Sequence, residues 1–247
     1  MEPAIVCQEV HKTLRAGDGE SAHHSAVLAG LDLTVGRGEC LGVLGPSGSG
    51  KTTLLKLINR LLDVDAGRVL VNDIDVREWE VLSLRRTAQL VPQEPILFGA
   101  TVRDNVTYGL TAAGREVPAD GELVALLAEV ALPEIALERP VAALSVGQKQ
   151  RVCLARALAL EPRILMLDET TASVEPAAAQ AVLEGLYGRA RRGDLTLLHV
   201  THEVPKLRTL DRLVVLAEGV VAAEGPPATI LARPPEAASR ELERGRA

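Results

Sequence analysis

The run GPSGSGKT at Gly45–Thr52 has the residue types and spacing to grip a polyphosphate. It fits the pattern G-x-x-x-x-G-K-[ST] and stands between the apolar run Glu39–Gly45 and the segment Lys51–Leu62, whose leucines recur at helical spacing. In that strand–loop–helix setting the glycines let the backbone curl tightly, so that N–H groups from Ser47 to Thr52 face a β-phosphate. The helix adds the positive end of its dipole. The Lys51 ammonium is placed to bridge β- and γ-phosphates, and the Thr52 hydroxyl to coordinate Mg²⁺. The phosphate-binding set is therefore Gly45, Pro46, Ser47, Gly48, Ser49, Gly50, Lys51, Thr52 and Thr53.

A phosphate loop needs a carboxylate for Mg²⁺ and a group that activates water. The run RILMLDE (Arg163–Glu169) offers both, because Ile164–Leu167 reads as a buried strand and Asp168 and Glu169 emerge at its carboxyl end. Ligands bind at that end of strands in open α/β sheets. Asp168 is assigned to Mg²⁺, directly or through a water, and Glu169 to general-base attack by water.

With these residues in place, the sequence resembles the ABC-type ATPases. LSVGQKQR (Leu144–Arg151), followed by LARAL and ILMLDE, resembles that family's signature and Walker B block. Gln93 in VPQEPILF stands at its Q-loop position and His202 in HVTHE at its switch-histidine position. The resemblance runs from about Ile5 to Gly225, with five motifs in the family's order. It implies ATP as substrate, Mg²⁺ as cofactor and a head-to-tail dimer with a second copy of the chain. In that dimer Ser145, Gly147 and Gln148 of one copy would close over nucleotide on the other, as donors to the γ-phosphate. Gln93 would join the Mg²⁺ and water shell and contact a membrane partner, and His202 would hold the γ-phosphate and polarise the water.

The family usually stacks an aromatic on adenine, but here the matching position in EVHKTL is Leu14. Loss of stacking costs ~1–3 kcal/mol by analogy with other aromatic–base contacts, which predicts weaker adenine selectivity. His11 and Arg15 are the candidate substitutes. The D-loop reads ASVE (Ala172–Glu175) where the family has Leu-Asp, Thr170 replaces a proline, and Val146 replaces the first signature glycine. None of these changes removes a phosphate, Mg²⁺ or water ligand.

The elements that must position these groups are legible in outline. Apolar strands at Ala4–Val10, Val27–Val35, Glu39–Gly45, Arg68–Asp73, Ala88–Gln93, Arg163–Glu169 and Thr196–His202 alternate with helical stretches, and Arg212–Gly225 reads as a strand pair turning at Glu218–Gly219. The polar stretch Arg15–Ser25, with His23 and His24, reads as a mobile hairpin loop, and Glu122–Leu132 as a helix ended by Pro133. This predicts an α/β fold: a P-loop NTPase core with a mostly parallel sheet, an N-terminal antiparallel β subdomain and an inserted helical subdomain. The expected boundaries are 1–94 and 154–225 for the core, 95–153 for the helices and 226–247 for a C-terminal tail, made of a Pro-rich step, a short helix and a frayed, charged end.

Composition narrows the setting. The 247 residues carry a net charge of −6, which speaks against nucleic acid as a partner. Aromatics are limited to Trp79, Phe98, Tyr108 and Tyr187, so the core should be aliphatic. Cys7, Cys40 and Cys153 are scattered in apolar runs without CxxC spacing, as expected of reduced core thiols in a cytosolic protein. No apolar run reaches the ~20 residues of a membrane span, and no targeting signal is visible. The expectation is a peripheral subunit on the cytoplasmic face of a membrane, powering a transporter whose multi-span permease subunits are separate chains. The segment PILFGATVRDNVTYGL resembles phosphate-import ATPases and related stand-alone subunits tied to metal or nucleotide-sugar transport. The alternative is a soluble mechanical ATPase in DNA repair or translation, which the single cassette and lack of a heptad tract disfavour.

Overall fold

A computed structural model describes residues 2–16, 23–170 and 174–244. The tip of the first hairpin, the side chains of His23 and His24, and Ala172 and Ser173 of the D-loop segment lie outside the described residues. Two sheets organise the chain. The first is antiparallel, in the order β2 (His23–Gly36), β1 (Pro3–Ala16), β4 (Ala66–Val71), β5 (Ile74–Asp75). The second has the order β10 (Val220–Gly225), β9 (Arg212–Ala217), β3 (Cys40–Leu44), β8 (Thr196–Val200), β7 (Ile164–Asp168), β6 (Ala88–Val91). All its pairings are parallel except β9–β10 at one edge, where Glu218 and Gly219 turn the chain with φ of 51° and 80°.

The central parallel strands β3, β7 and β8 are buried along their whole length and mostly apolar because both of their faces are covered. Leu41 and Val43 of β3, Ile164 and Met166 of β7, Leu198 and Val200 of β8, and Val214 and Leu216 of β9 join one core. That core also holds α1 (Lys51–Ile58) and the inner face of the antiparallel sheet. Their alternates Leu44, Leu165, Leu167, Leu197, Leu213 and Val215 face a second core. Three helices inserted between β6 and β7 pack there: α3 (Val102–Ala112), α4 (Asp120–Glu129) and α5 (Val146–Leu158). So do α6 (Pro176–Arg191) and α9 (Glu236–Arg244), the latter through fully buried Ala238 and Leu242. The tail expected to fray is therefore a packed helix as far as Arg244. No helix among the described residues is long and apolar enough to cross a membrane.

Several element ends differ from expectation for local reasons. Helix α1 stops at Ile58 rather than Leu62, because Arg60 turns left-handed (φ 53°) and Arg85 donates to the terminal carbonyls of Asn59 and Arg60 at 3.4 and 2.8 Å. That arginine comes from α2 (Val81–Thr87), a short helix without a periodic pattern. Strands β1 and β2 run on into the polar stretch expected to be loop, pairing through Arg15↔His24 and Ala16↔His23. Helix α4 ends at Glu129, since Ala131 takes a positive φ of 56° before Pro133. Two short helices complete the chain, α7 (Val204–Leu207) and α8 (Pro227–Ala232).

Candidate functional site at the carboxyl edge of the parallel sheet

Strand register brings the chemistry-bearing residues to one edge. Val43, Val200 and Asp168 are level across β3, β8 and β7, and Val91 of β6 is level with Leu167. The next residues along each strand are the start of the phosphate loop, Thr201–His202, Glu169 and Pro92–Gln93. Residues separated by up to 157 positions in sequence thus share one rim without any of them being adjacent in the chain.

The loop leaves β3 at Gly45, whose φ of 143° and surroundings demand glycine: a Cβ there would meet the Leu216 carbonyl oxygen at 2.1 Å and Ser49 Oγ at 2.7 Å. Gly50, left-handed at φ 100°, caps α1, and the first helical bond runs from Leu54 N–H to Gly50 O at 2.8 Å. The N–H groups of the first turn therefore lack intrahelical acceptors and are available to an anion. One expectation narrows here, because the Ser49 N–H is used inside the loop on Pro46 O at 3.1 Å. The Ser49 hydroxyl, by contrast, is buried without a hydrogen-bond partner among the described residues, which fits a phosphate oxygen as its acceptor. Ser47 and Gly48 lie on the exposed side of the loop, while Thr53 is buried in α1.

Lys51 Nζ donates to the carbonyls of Gly45 (2.7 Å) and Pro46 (3.0 Å), which pins the ammonium over the loop. Burial lowers its pKa, and the charges of Glu169, Glu241 and Asp168 oppose that shift. Glu241 was invisible as a site neighbour from sequence. It belongs to α9, and the only signal was the spacing of Ala238 and Leu242 in a run otherwise charged.

The Thr52 hydroxyl donates to Asp168 Oδ2 at 2.8 Å. A hydroxyl and a carboxylate in contact make an oxygen pair suited to Mg²⁺, which takes few protein ligands and completes its shell from water and phosphate. Among the described residues no group of three or more His, Cys, Asp and Glu could hold a metal by itself. One residue on, Glu169 carries a positive φ of 51°, with its N–H held by Val200 O at 3.0 Å. A non-glycine residue in that conformation costs of order 1–3 kcal/mol, and such strain gathers at functional sites. It aims the carboxylate towards Gln93, whose Nε2 donates to Glu169 Oε2 at 3.1 Å.

His202 stands half-buried two residues past β8, on the same rim, next to the Thr201 hydroxyl that accepts the Glu203 N–H at 3.2 Å. The signature residues lie elsewhere. Ser145 caps α5, its hydroxyl accepting the Gln148 N–H at 3.2 Å while Gln148 Oε1 accepts the Ser145 N–H at 3.0 Å. The helix therefore begins at Val146. Gly147 is buried in its first turn, and Val146 is 57% exposed beside it. No hydrogen bond among the described residues joins Ser145, Gly147 or Gln148 to the phosphate loop, so within one chain the structure does not bring the two motifs together.

Comparison with known proteins agrees with this geometry. The family model described as ABC transporter matches residues 28–172. Protein STAR1 of Oryza sativa subsp. japonica is 39% identical over 223 residues, covering 90% of this chain and 64% of that protein. The chain thus spans somewhat under two thirds of that relative's length. The methionine import ATP-binding protein MetN of Xanthomonas euvesicatoria pv. vesicatoria is 39% identical over 244 residues, covering 96% of this chain and 71% of that protein. Among solved structures, an ATP-binding cassette captured as a dimer in a post-hydrolysis state with ADP and Pi superposes with a TM-score of 0.81 at 28% identity, covering 90% of this chain and 98% of that one. With the family model matching more than half of the residues, the chain belongs to the ABC transporter family, as an ATP-binding domain of that family.

Proposed function

We propose that this chain hydrolyses ATP to power a membrane transporter whose spanning subunits are separate chains, working as a head-to-tail dimer with a second copy of itself. The observation that carries the reading is the Gln93–Glu169 contact at 3.1 Å, one residue along from the Thr52–Asp168 pair at 2.8 Å. A water-positioning amide and a carboxylate base thus stand beside a ready oxygen pair for Mg²⁺.

In this reading the first turn of α1, the Ser49 hydroxyl and Lys51 hold the β- and γ-phosphates. Thr52 and Asp168 hold Mg²⁺, which when bound offsets charge developing on the phosphate oxygens. Glu169 accepts the proton of the attacking water, Gln93 orients that water, and His202 donates to the γ-phosphate. The Ser145 hydroxyl and the N–H groups at the start of α5, including those of Gly147 and Gln148, complete the site on the partner copy. ATP closes the dimer and hydrolysis reopens it. The relatives named for methionine import favour an importer of small solutes, and the membrane subunit would set the cargo. The chain would then sit peripherally on the cytoplasmic face.

Purified chain assayed for Mg²⁺-dependent phosphate release, together with affinity capture from membranes, tests the proposal. Hydrolysis and a co-purifying multi-span protein support it. Absent hydrolysis, or capture of ribosomes or DNA instead, refutes it.

A further inference from the structure

Residues 92–98, between β6 and α3, form neither helix nor strand. Three side chains from one face of α5 hold this segment. Gln150 Nε2 donates to Pro92 O at 2.7 Å. One turn on, Cys153 Sγ donates to Ile96 O at 3.4 Å. A further turn on, the Arg156 guanidinium lies 4.8 Å from the centroid of the Phe98 ring. Asn105 of α3 adds a fourth anchor, accepting the Phe98 N–H at 2.7 Å.

The Gln150 contact stands out physically. Gln150 is 3% exposed and borders a small cavity lined by Leu154, Val174, Ala179 and Val182, where an unpaired polar group would be costly. The bond it makes is to the Pro92 carbonyl, which belongs to the same planar peptide unit as the Gln93 N–H. Holding that carbonyl fixes the plane from which Gln93 departs, and the Gln93 side chain is the group that meets Glu169. The same helix begins, about 7.5 Å back along its axis, at the Ser145 cap. One rigid element therefore carries the signature donors at its end and the anchor of the water-positioning glutamine on its side.

We infer that Gln150 is a positioning residue that couples the two nucleotide sites of the dimer. When the Ser145 end of α5 engages nucleotide on the partner copy, any shift of α5 moves the Pro92–Gln93 peptide and sets Gln93 against Glu169 in its own site. Each site thereby senses occupancy of the other. This inference rests on the head-to-tail dimer proposed above.

The test uses Gln150→Met and Gln150→Leu, which are close to glutamine in volume and remove the donor, in the full-length chain. Steady-state hydrolysis against ATP concentration should give a wild-type Hill coefficient above one. In both variants that coefficient should fall towards one and kcat should fall about 5–10-fold, with affinity for a non-hydrolysable ATP analogue nearly unchanged and the chain still folded at the assay temperature. In a Gln93→Ala background, adding Gln150→Met should leave kcat unchanged within about twofold, because the contact then has nothing to position. Additive losses in that double variant, or cooperativity retained without the donor, overturn the inference. A wild type that hydrolyses ATP with a Hill coefficient of one overturns it while sparing the proposed function; absent hydrolysis sinks both. Should Gln150→Met fail to fold, Gln150→Leu carries the same comparison.

Discussion

His199 sits in β8 between Gly42 of β3 and Leu167 of β7, fully buried. Its Nδ1 lies 3.4 Å from the Tyr187 hydroxyl, and its Nε2 has no hydrogen-bond partner among the described residues. Burial, with the Lys206 charge as a lesser cause, pushes its pKa down from 6.5 to about 3. The unfolded chain therefore binds a proton that the folded chain refuses. The contribution of neutral His199 to stability is whole above the unfolded value and is lost as pH falls from about 6.5 towards 3. One pH unit of differential protonation is worth about 1.4 kcal/mol, so lowering pH from about 7.5 to about 5 should cost about 2 kcal/mol through this residue alone. His199→Leu removes the titration. Urea denaturation of wild type and variant at both pH values, without nucleotide, isolates the effect, because every other carboxylate and histidine cancels in the difference. The variant should gain about 2 kcal/mol on wild type as pH falls. A difference independent of pH would refute the reasoning.

Three further outcomes follow from the site. Gly45→Ala drives a Cβ to 2.1 Å from a backbone carbonyl at Leu216, so it should destabilise by about 2–4 kcal/mol and lose nucleotide binding, measured by denaturation and calorimetry. Thr52→Ala removes the hydroxyl partner of Asp168, so ATP binding in a chelator should persist while the gain from added Mg²⁺ disappears in calorimetric titrations. Because Leu14 occupies the hairpin position expected to face adenine, GTP and ATP should be hydrolysed at similar rates; Leu14→Tyr should tighten ATP about 10-fold, and strong ATP preference in the wild type would count against this.

The phosphate loop and the Asp168–Glu169 pair were legible because β3 and β7 are buried on both faces. Such strands read as unbroken apolar runs, and the residues that interrupt them are conspicuous. Helix α4 was legible for a different reason, the apolar helical pattern of Glu122–Leu132. What stayed hidden depends on register between strands distant in sequence. That Pro92 is level with Asp168, and so Gln93 with Glu169, follows from β6 pairing with β7, which no local pattern states. The left-handed backbone at Glu169 and the unpartnered Ser49 hydroxyl were equally beyond local patterning, since both are set by neighbours. Helix α9 was missed because only Ala238 and Leu242 anchor it amid charges, and β5, two residues long, is too short to show alternation.

The central claim is that Glu169, held by Gln93 beside the Thr52–Asp168 pair, activates the water that cleaves ATP. Glu169→Gln keeps the shape and removes the base. Measured side by side, Mg²⁺-dependent phosphate release should fall at least about 100-fold while ATP affinity stays within about threefold of wild type. Normal turnover in Glu169→Gln would contradict the account.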